Sequence, residues 1–322
     1  MKKKTNAPRK PRNLLRNRLR MPQIELLAAM ERSPTLSAAA RDANLTQPAA
    51  SRLLNTLAAD LGIALFERGG RTLRPTAAGQ ALVRKAAEFV ADLDRTQSEL
   101  EAIDDGLIGT TSIGAGVSSS YVLVPRAITL LAKTAPRIAV SVREGPMDEL
   151  VARLREGRID LLVGRFESET SYQDLVIEKL YNPSVKFVCG PQHPLTRKRN
   201  PTLMHLLQES WILHEVGTPM RSALEAMFRK QGIRPQASLI ESSAIQTNVS
   251  LLNSLNFVWV LSEDVAEYFA DLGALHILNV PELESPGPFI VGHLRHRRLS
   301  PSAQRMKEYL FEAARIKHAR RC

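Results

Sequence analysis

The sequence predicts a multidomain protein, with an α-rich N-terminal domain, then a long helix, then an α/β region in two lobes. Three observations support this fold class. Two short helical patterns meet at a tight turn within residues 37–54, and heptad-like apolar spacing runs through residues 76–105. From Thr110 onward, short apolar runs alternate with helical segments. A chain of 322 residues is long enough to give each domain its own core.

Composition limits the classes of function. Only Cys189 and Cys322 are present, without a CxxC pair, so neither a disulfide framework nor a cysteine zinc site is expected. The seven histidines are scattered, and the one close pair, His293 and His296, has no acidic or thiol neighbours in the sequence. We therefore expect no metal and no cofactor.

The sequence contains no segment typical of a membrane protein. The first apolar segment is interrupted by Glu25, which makes it a poor signal peptide, and the uncharged runs at 106–125 and 242–262 are rich in small and polar residues. We expect a cytoplasmic protein with no membrane partner.

Positive charge is concentrated at the N-terminus. The net charge is +11, and residues 1–20 contain nine lysines and arginines and no acidic residue. Residues 21–75 contain six basic and five acidic residues, a net of +1. Residues 1–20 are expected to be a disordered basic tail, which either aids solubility or contacts phosphates.

The stretch after the tail has the signals of two helices joined by a turn. Ser37 is expected to cap a short helix that ends near Ala43, and Asn44 is a residue that tolerates a left-handed conformation. Thr46 can cap a second helix, with Pro48 in its first turn, where a missing N–H is tolerated.

The second helix separates apolar from polar side chains. At about 100° per residue, one face carries Ala50, Leu53, Leu54, Leu57 and Leu61, and the other carries Gln47, Pro48, Ser51, Arg52 and Asn55. Amphipathicity alone fits any surface helix. Gln and Asn, however, pair bidentately with adenine and Arg with guanine, so the polar face favours base recognition in a major groove.

A hairpin is expected directly after these helices. Gly69 and Gly70 can form a two-residue turn between short segments. Arg68, Arg71 and Arg74 flank that turn, which suggests a wing whose arginines contact phosphates or enter a minor groove.

Residues 22–80 resemble the DNA-binding domain of LysR-type transcriptional regulators, through the A-A-A at 38–40, the T-Q-P-A-A-S-R from Thr46, the L-F-E-R from Leu65 and the T-A-A-G that ends at Gly79. The resemblance implies a winged helix-turn-helix over residues 21–75 that binds double-stranded promoter DNA. The expected DNA-binding residues are Ser37, Thr46, Gln47, Pro48, Ser51, Arg52, Asn55, Arg68, Arg71 and Arg74.

A long helix is expected over residues 76–106, with Thr76 as its cap. Its apolar positions alternate in spacings of four and three, with Thr96 filling one position: Leu82, Ala86, Phe89, Leu93, Leu100 and Ile103. Packing on its own chain is one interpretation, and a two-helix seam between subunits is the better one. The helix is expected to form a homodimer, and the resemblance also implies a homotetramer.

The C-terminal region is expected to form two α/β lobes around mainly parallel sheets, with a cleft between them. The first lobe is assigned to about 107–183 and 274–322, and the second to about 184–273. The segments 149–165 and 193–195 resemble the effector-binding part of LysR-type regulators. This implies a periplasmic-binding-protein-like effector domain in residues 107–322.

On the same resemblance, six residues match segments that line the effector cleft: Ser118, Ser119, Arg165, Thr218, Ser242 and Ser243. The serines could equally be helix caps. Arg165 ends an apolar run, and its planar guanidinium would suit a carboxylate, so an anionic small-molecule effector is expected.

Other classes of function fit less well. The GAGVSS at 114–119 departs from the dinucleotide fingerprint at Ser119 and has no acidic residue about twenty positions on, so an enzyme is not expected and no catalytic residue is assigned. A protein that only binds a small ligand would not need the N-terminal domain, and a non-specific DNA-binding protein would have a basic face. The sequence therefore predicts a sequence-specific transcriptional regulator controlled by a small molecule.

Overall fold

The computed structural model describes residues 15, 18–33, 35–69, 72–104, 108–166, 172–232, 240–280, 283 and 285–319. The chain divides into two compact units, Met1–Ser98 and Glu99–Cys322. Most of the predicted basic tail lies outside the described residues, as does Arg71 of the predicted wing.

The first unit is a three-helix domain with a hairpin and a long helix. Its elements are α1 (Met21–Arg32), α2 (Leu36–Asp42), α3 (Gln47–Leu61), β1 (Phe66–Gly69), β2 (Thr72–Pro75) and most of α4 (Ala77–Asp104), whose last residues, after Ser98, belong to the second unit. The core contains Leu26, Leu27, Ala39, Ala40, Ala50, Leu54 and Leu57. The small alanine side chains of α2 allow its neighbours to pack closely.

The turn between α2 and α3 has the predicted geometry, but the prediction that Ser37 caps α2 is wrong. Thr35 is the cap, because its backbone is extended and its Oγ1 accepts a hydrogen bond from the N–H of Ala38 at 3.2 Å. Ser37 is the second residue of the helix and is exposed. Asn44 has a φ of 53°, and Thr46 caps α3 by accepting from the N–H of Ala49 at 3.4 Å.

Thr76 caps α4, as the sequence predicts. Its Oγ1 accepts from the N–H of Gly79 at 3.1 Å and donates to the carbonyl oxygen of Ala64 at 2.8 Å. A Cβ on Gly79 would lie 1.9 Å from the carbonyl oxygen of Leu65, so only glycine permits this approach of the helix to the segment before the hairpin.

The second unit contains two five-stranded sheets. The first lobe is built from β3 (Gly109–Ala115), α5 (Leu123–Thr134), β4 (Ile138–Glu144), α6 (Met147–Arg155), β5 (Leu161–Gly164), β6 (Leu175–Tyr181), β12 (Phe289–Leu294) and α11 (Pro301–Ala319), in the sheet order β4-β3-β5-β12-β6. Strands β4, β3 and β5 are parallel, whereas β12 is antiparallel to both of its neighbours.

The second lobe repeats this plan. It contains β7 (Val185–Cys189), α7 (Leu203–Leu207), β8 (Ser210–Leu213), α8 (Pro219–Lys230), β9 (Ile240–Glu241), α9 (Ile245–Ser254), β10 (Phe257–Ser262), α10 (Glu263–Asp271) and β11 (His276–Ile277), in the order β11-β7-β10-β8-β9. In each sheet four strands therefore run in one direction and one runs in the opposite direction, which is β12 in the first lobe and β7 in the second.

One lobe boundary differs from the prediction. The sequence assigned the chain from residue 274 to the first lobe, but β11 pairs with β7 of the second lobe through His276 and Ile277. Where the chain first passes from the first lobe to the second, Tyr181 at the end of β6 donates its hydroxyl to the Asp264 carboxylate, 2.5 Å away in the first turn of α10.

None of the described helices is both long enough and apolar enough to span a bilayer.

Candidate functional site

The polar face of α3 is presented to solvent. Gln47, Pro48, Arg52 and Asn55 are exposed and Ser51 is partly buried. The opposite face is buried through Ala50, Leu54 and Leu57. The helix therefore presents side chains that can both donate and accept hydrogen bonds, with one cation among them, which is the chemistry needed to contact base edges.

The hairpin beside α3 forms a short wing. Strands β1 and β2 pair antiparallel, with Glu67 opposite Arg74 and Arg68 opposite Leu73. Arg74 is exposed. The side chain of Arg68 and all of Arg71 lie outside the described residues. Thr46 acts locally as a helix cap, and Ser37 lies near the amino end of α2.

The apolar positions of α4 fall into two groups. Val83 and Ala86 are buried in the core of the first unit, so this part of the helix packs on its own chain. Four later side chains are exposed at fractions of 41% to 64%: Phe89, Leu93, Leu100 and Ile103. Their spacing places them on one side of the helix, where they form an exposed apolar stripe. Exposed apolar surface of this kind is typical of a protein–protein contact.

A cavity of about 470 Å³ lies between the two lobes of the second unit. The first lobe contributes Ser118, Tyr121, Glu144, Met147, Arg165 and Phe289. The second lobe contributes His214, Glu215, Thr218, Ser243, Ile245 and Gln246. Its size falls within the usual range for small-molecule sites.

Arg165 is the cation of this cavity and follows the end of β5. Its Nε donates to the carbonyl oxygen of Gly287 at 3.1 Å, and its guanidinium lies 4.2 Å from the centre of the Phe289 ring. Its Nη2 is enclosed and has no hydrogen-bond partner among the described residues. Burial lowers the pKa of Arg165 to about 10, although Asp264 and Tyr181 act in the opposite direction. The group is therefore charged at neutral pH and lacks a full complement of hydrogen bonds.

His214 is the second unusual group in the cavity. Its Nε2 lies 2.9 Å from the carbonyl oxygen of Val260, and its ring stacks on Trp259 with centres 5.3 Å apart. Burial lowers the pKa of His214 to about 4. Arg221 fixes the segment by donating from Nη1 to the His214 carbonyl oxygen at 2.8 Å. A carbonyl oxygen can only accept, so Nε2 carries the proton and Nδ1 is an acceptor.

Four of the six residues predicted for the cleft line this cavity, namely Ser118, Arg165, Thr218 and Ser243. The prediction for Ser119 is wrong, because this side chain is fully buried and its hydroxyl lies 2.7 Å from the Gly116 carbonyl oxygen and 2.9 Å from that of Val163. Ser242 is not among the lining residues, and its Oγ accepts from the N–H of Ala244 at 3.2 Å.

Thr218 lines the cavity and also caps the amino end of α8. Its Oγ1 donates to the carbonyl oxygen of Glu215 at 2.8 Å and accepts from the N–H of Arg221 at 3.3 Å. Thr218 is therefore a helix cap as well as a lining residue, a role that the sequence suggested only for the serines.

Sequence reasoning missed Glu144, His214, Glu215 and Phe289. Glu144 ends β4, and His214 and Glu215 directly follow β8. The carboxyl ends of parallel strands meet at one edge of a sheet, so polar residues in these positions carried the signal. Among the described residues, no group of three or more His, Cys, Asp or Glu side chains could hold a metal ion.

Comparison with known proteins gives a consistent identification. Residues 21–80 match the family described as bacterial regulatory helix-turn-helix protein, lysR family, and residues 104–315 match the LysR substrate binding domain. The chain is 31% identical over 291 residues to the transcriptional regulator GbpR of Azospirillum brasilense, covering 90% of this chain and 85% of that protein.

Two further proteins cover most of the chain. The regulator CfxR of Cupriavidus necator is 28% identical over 295 residues, with 91% of this chain and 92% of that protein covered. The crystal structure of CbnR, a LysR family transcriptional regulator, superposes with a TM-score of 0.60 at 19% identity over 92% of this chain and 99% of CbnR. The helix-turn-helix, the long helix and the two-lobed domain are thus found together in one known family, and the chain belongs to the LysR family of bacterial transcriptional regulators.

Proposed function

We propose that this regulator binds promoter DNA through α3 and the wing, dimerises through α4, and changes its action on promoters when a small anion occupies the interlobe cavity. The observation that supports DNA reading most directly is the exposed face of α3, which carries Gln47, Ser51, Arg52 and Asn55. We also propose that it acts in the cytoplasm, where promoter DNA is found.

The DNA contacts divide by chemistry. Gln47, Ser51, Arg52 and Asn55 reach base edges in a major groove, because their donors and acceptors match those of the bases. Ser37, Thr46 and Pro48 lie at the amino ends of α2 and α3, which favours phosphate contacts, and Arg68, Arg71 and Arg74 add wing contacts. CbnR, similar in fold with a TM-score of 0.57, has been solved in complex with its target DNA.

Dimerisation gives the reading helix a partner. The exposed stripe of α4 holds Phe89, Leu93, Leu100 and Ile103 at coiled-coil spacing, so a second copy of the helix can cover it. A homodimer with two reading helices recognises an approximately two-fold symmetric site. A homotetramer would combine two such dimers.

The cavity supports control by an anion. Arg165 brings a buried positive charge with an unsatisfied Nη2 to a space between two lobes. A carboxylate placed there satisfies the guanidinium and contacts both lobes at once. A ligand that binds one arrangement of the lobes better than another shifts the population toward it, which is how a small molecule would alter promoter binding or activation.

Arg52→Ala tests the reading of bases. Operator fragments would first be selected from a random DNA pool with the full chain, and affinity then measured by fluorescence anisotropy on the selected and on random fragments. We expect the variant to lose roughly 1 to 3 kcal/mol of binding free energy on the selected site and little on random DNA.

Deletion of residues 2–20 is the matched control. It removes all nine basic residues of the tail and leaves α3 intact. We expect it to weaken binding to both fragments and to reduce the salt dependence. Equal losses on both fragments for Arg52→Ala would contradict the proposal.

A further inference from the structure

The chemistry of the interlobe cavity selects among classes of small anion. Arg165 is the one lysine or arginine among the described lining residues, whereas hydrogen-bond acceptors come from both lobes. Arg165 already donates one N–H to Gly287 and packs on Phe289, so its position is fixed before any ligand binds. A fixed guanidinium favours a planar carboxylate with two oxygens to accept from it.

Two carboxylates line the same cavity and limit the ligand to a single negative charge. Glu144 accepts from the hydroxyl of Ser120, and Glu215 lies on the opposite lobe. Both residues are exposed. The two negative charges disfavour a second anionic group on the ligand, and carboxylate oxygens can only accept hydrogen bonds, so a ligand group that donates is favoured beside them.

His214 adds a third acceptor, in a buried position. The hydrogen bond from Nε2 to Val260 leaves Nδ1 without a proton. Stacking on Trp259 and the contact from Arg221 to the His214 backbone hold the ring in this orientation. A ligand hydroxyl can donate to such a nitrogen, whereas a methylene or an aromatic C–H offers it nothing.

Apolar side chains complete the cavity. Phe289, Tyr121 and Met147 belong to the first lobe and provide surface for C–H groups. An aromatic acid would fit these side chains and Arg165, but it would bring no hydrogen-bond donor to the acceptors on Glu144, Glu215 and His214. A hydroxylated acid satisfies both sets.

We propose that the effector is a small monocarboxylate that carries several hydroxyl groups, with Arg165 holding the carboxylate and Glu144, His214 and Glu215 accepting from the hydroxyls. This inference rests on the proposed function, because it names the ligand class of the same cavity. Sites built to bind a hydroxyl discriminate strongly against analogues that lack it.

The test uses matched ligands on the full-length protein, with melting temperature and titration calorimetry as readouts. The hydroxylated acids are glycerate, gluconate and galactonate. Their controls are propionate and hexanoate, which lack hydroxyls, sorbitol, which lacks the charge, and benzoate. We expect at least one hydroxylated acid to raise the melting temperature and to bind about 10- to 100-fold more tightly than its control of equal chain length.

Variants then assign the contacts. Arg165→Gln should abolish the response to the hydroxylated acid, and Glu215→Ala should weaken binding about tenfold while leaving hexanoate unaffected. Glu149→Ala is the matched control, since Glu149 is exposed on α6 and is not a lining residue. The melting temperature without ligand shows whether each variant is folded.

The hydroxyl inference would be overturned if hexanoate, propionate or benzoate bound more strongly than the hydroxylated acids. If that binding were also lost in Arg165→Gln, the proposed control of the regulator by an anion would still stand. If no acid of any kind binds, both fall. An unchanged response in Glu215→Ala would remove Glu215 from the site and count against the inference.

Discussion

Replacing Arg165 with methionine should stabilise the ligand-free protein. The pKa of Arg165 is lowered by burial to about 10, and because one pKa unit is worth about 1.36 kcal/mol, the charge costs about 3 kcal/mol at neutral pH. That cost already includes the attraction of Asp264. Methionine removes the cost but also loses the hydrogen bond to Gly287 and the contact with Phe289, each worth about 1 kcal/mol.

The expected net gain is about 1 kcal/mol in the free energy of unfolding, seen as a rise of about 2–4 °C in the melting temperature. Differential scanning fluorimetry without ligand measures it, with Arg143→Met as control, because Arg143 is exposed on β4 and its replacement should change stability by less than about 0.5 kcal/mol. A clear loss of stability in Arg165→Met would refute the reasoning, since the guanidinium would then be a net stabilising group in the empty cavity.

Two further predictions follow from His214 and α4. Burial lowers the pKa of His214 from 6.5 to about 4, so the unfolded chain binds more protons between these values and stability falls as pH decreases through this window. Between pH 7 and pH 4, the free energy of unfolding of the His214→Phe variant should fall by about 3 kcal/mol less than that of the wild type. Urea unfolding at the two pH values measures this difference. An unchanged pH dependence would contradict burial of the neutral ring. Leu93→Glu with Leu100→Glu should weaken dimerisation about 100-fold or more, measured by analytical ultracentrifugation, whereas Arg84→Gln on the other side of the helix should not. A dimer that survives the double change would place the interface elsewhere.

Local signals in the sequence predicted most of the turn and caps of the N-terminal unit. Asn44, Thr46 and Thr76 act where their side-chain chemistry indicates, because turns and caps depend on neighbours within a few residues. Ser37 failed as a cap because Thr35, two residues earlier, offers the same hydroxyl and local rules do not choose between them.

The cavity needed information from distant parts of the chain. Arg165 was identified from its family position, but Glu144, His214 and Phe289 come from three different strand ends and meet only through the sheet order. Strand β11 was assigned to the other lobe because pairing with β7 depends on a contact about 90 residues away, which periodicity does not encode. Ser119 was misassigned for a related reason, since its burial depends on the distant carbonyl of Val163.

The hydrogen bond between Tyr181 and Asp264 has a consequence for how tightly the cavity holds its ligand. Asp264 is buried, its Oδ1 has no hydrogen-bond partner among the described residues, and its charge acts on Arg165. An entering carboxylate therefore meets a guanidinium that is already partly neutralised from within the protein. On the proposed function, this internal counter-charge lowers the affinity of Arg165 for a carboxylate relative to the same guanidinium without Asp264 beside it.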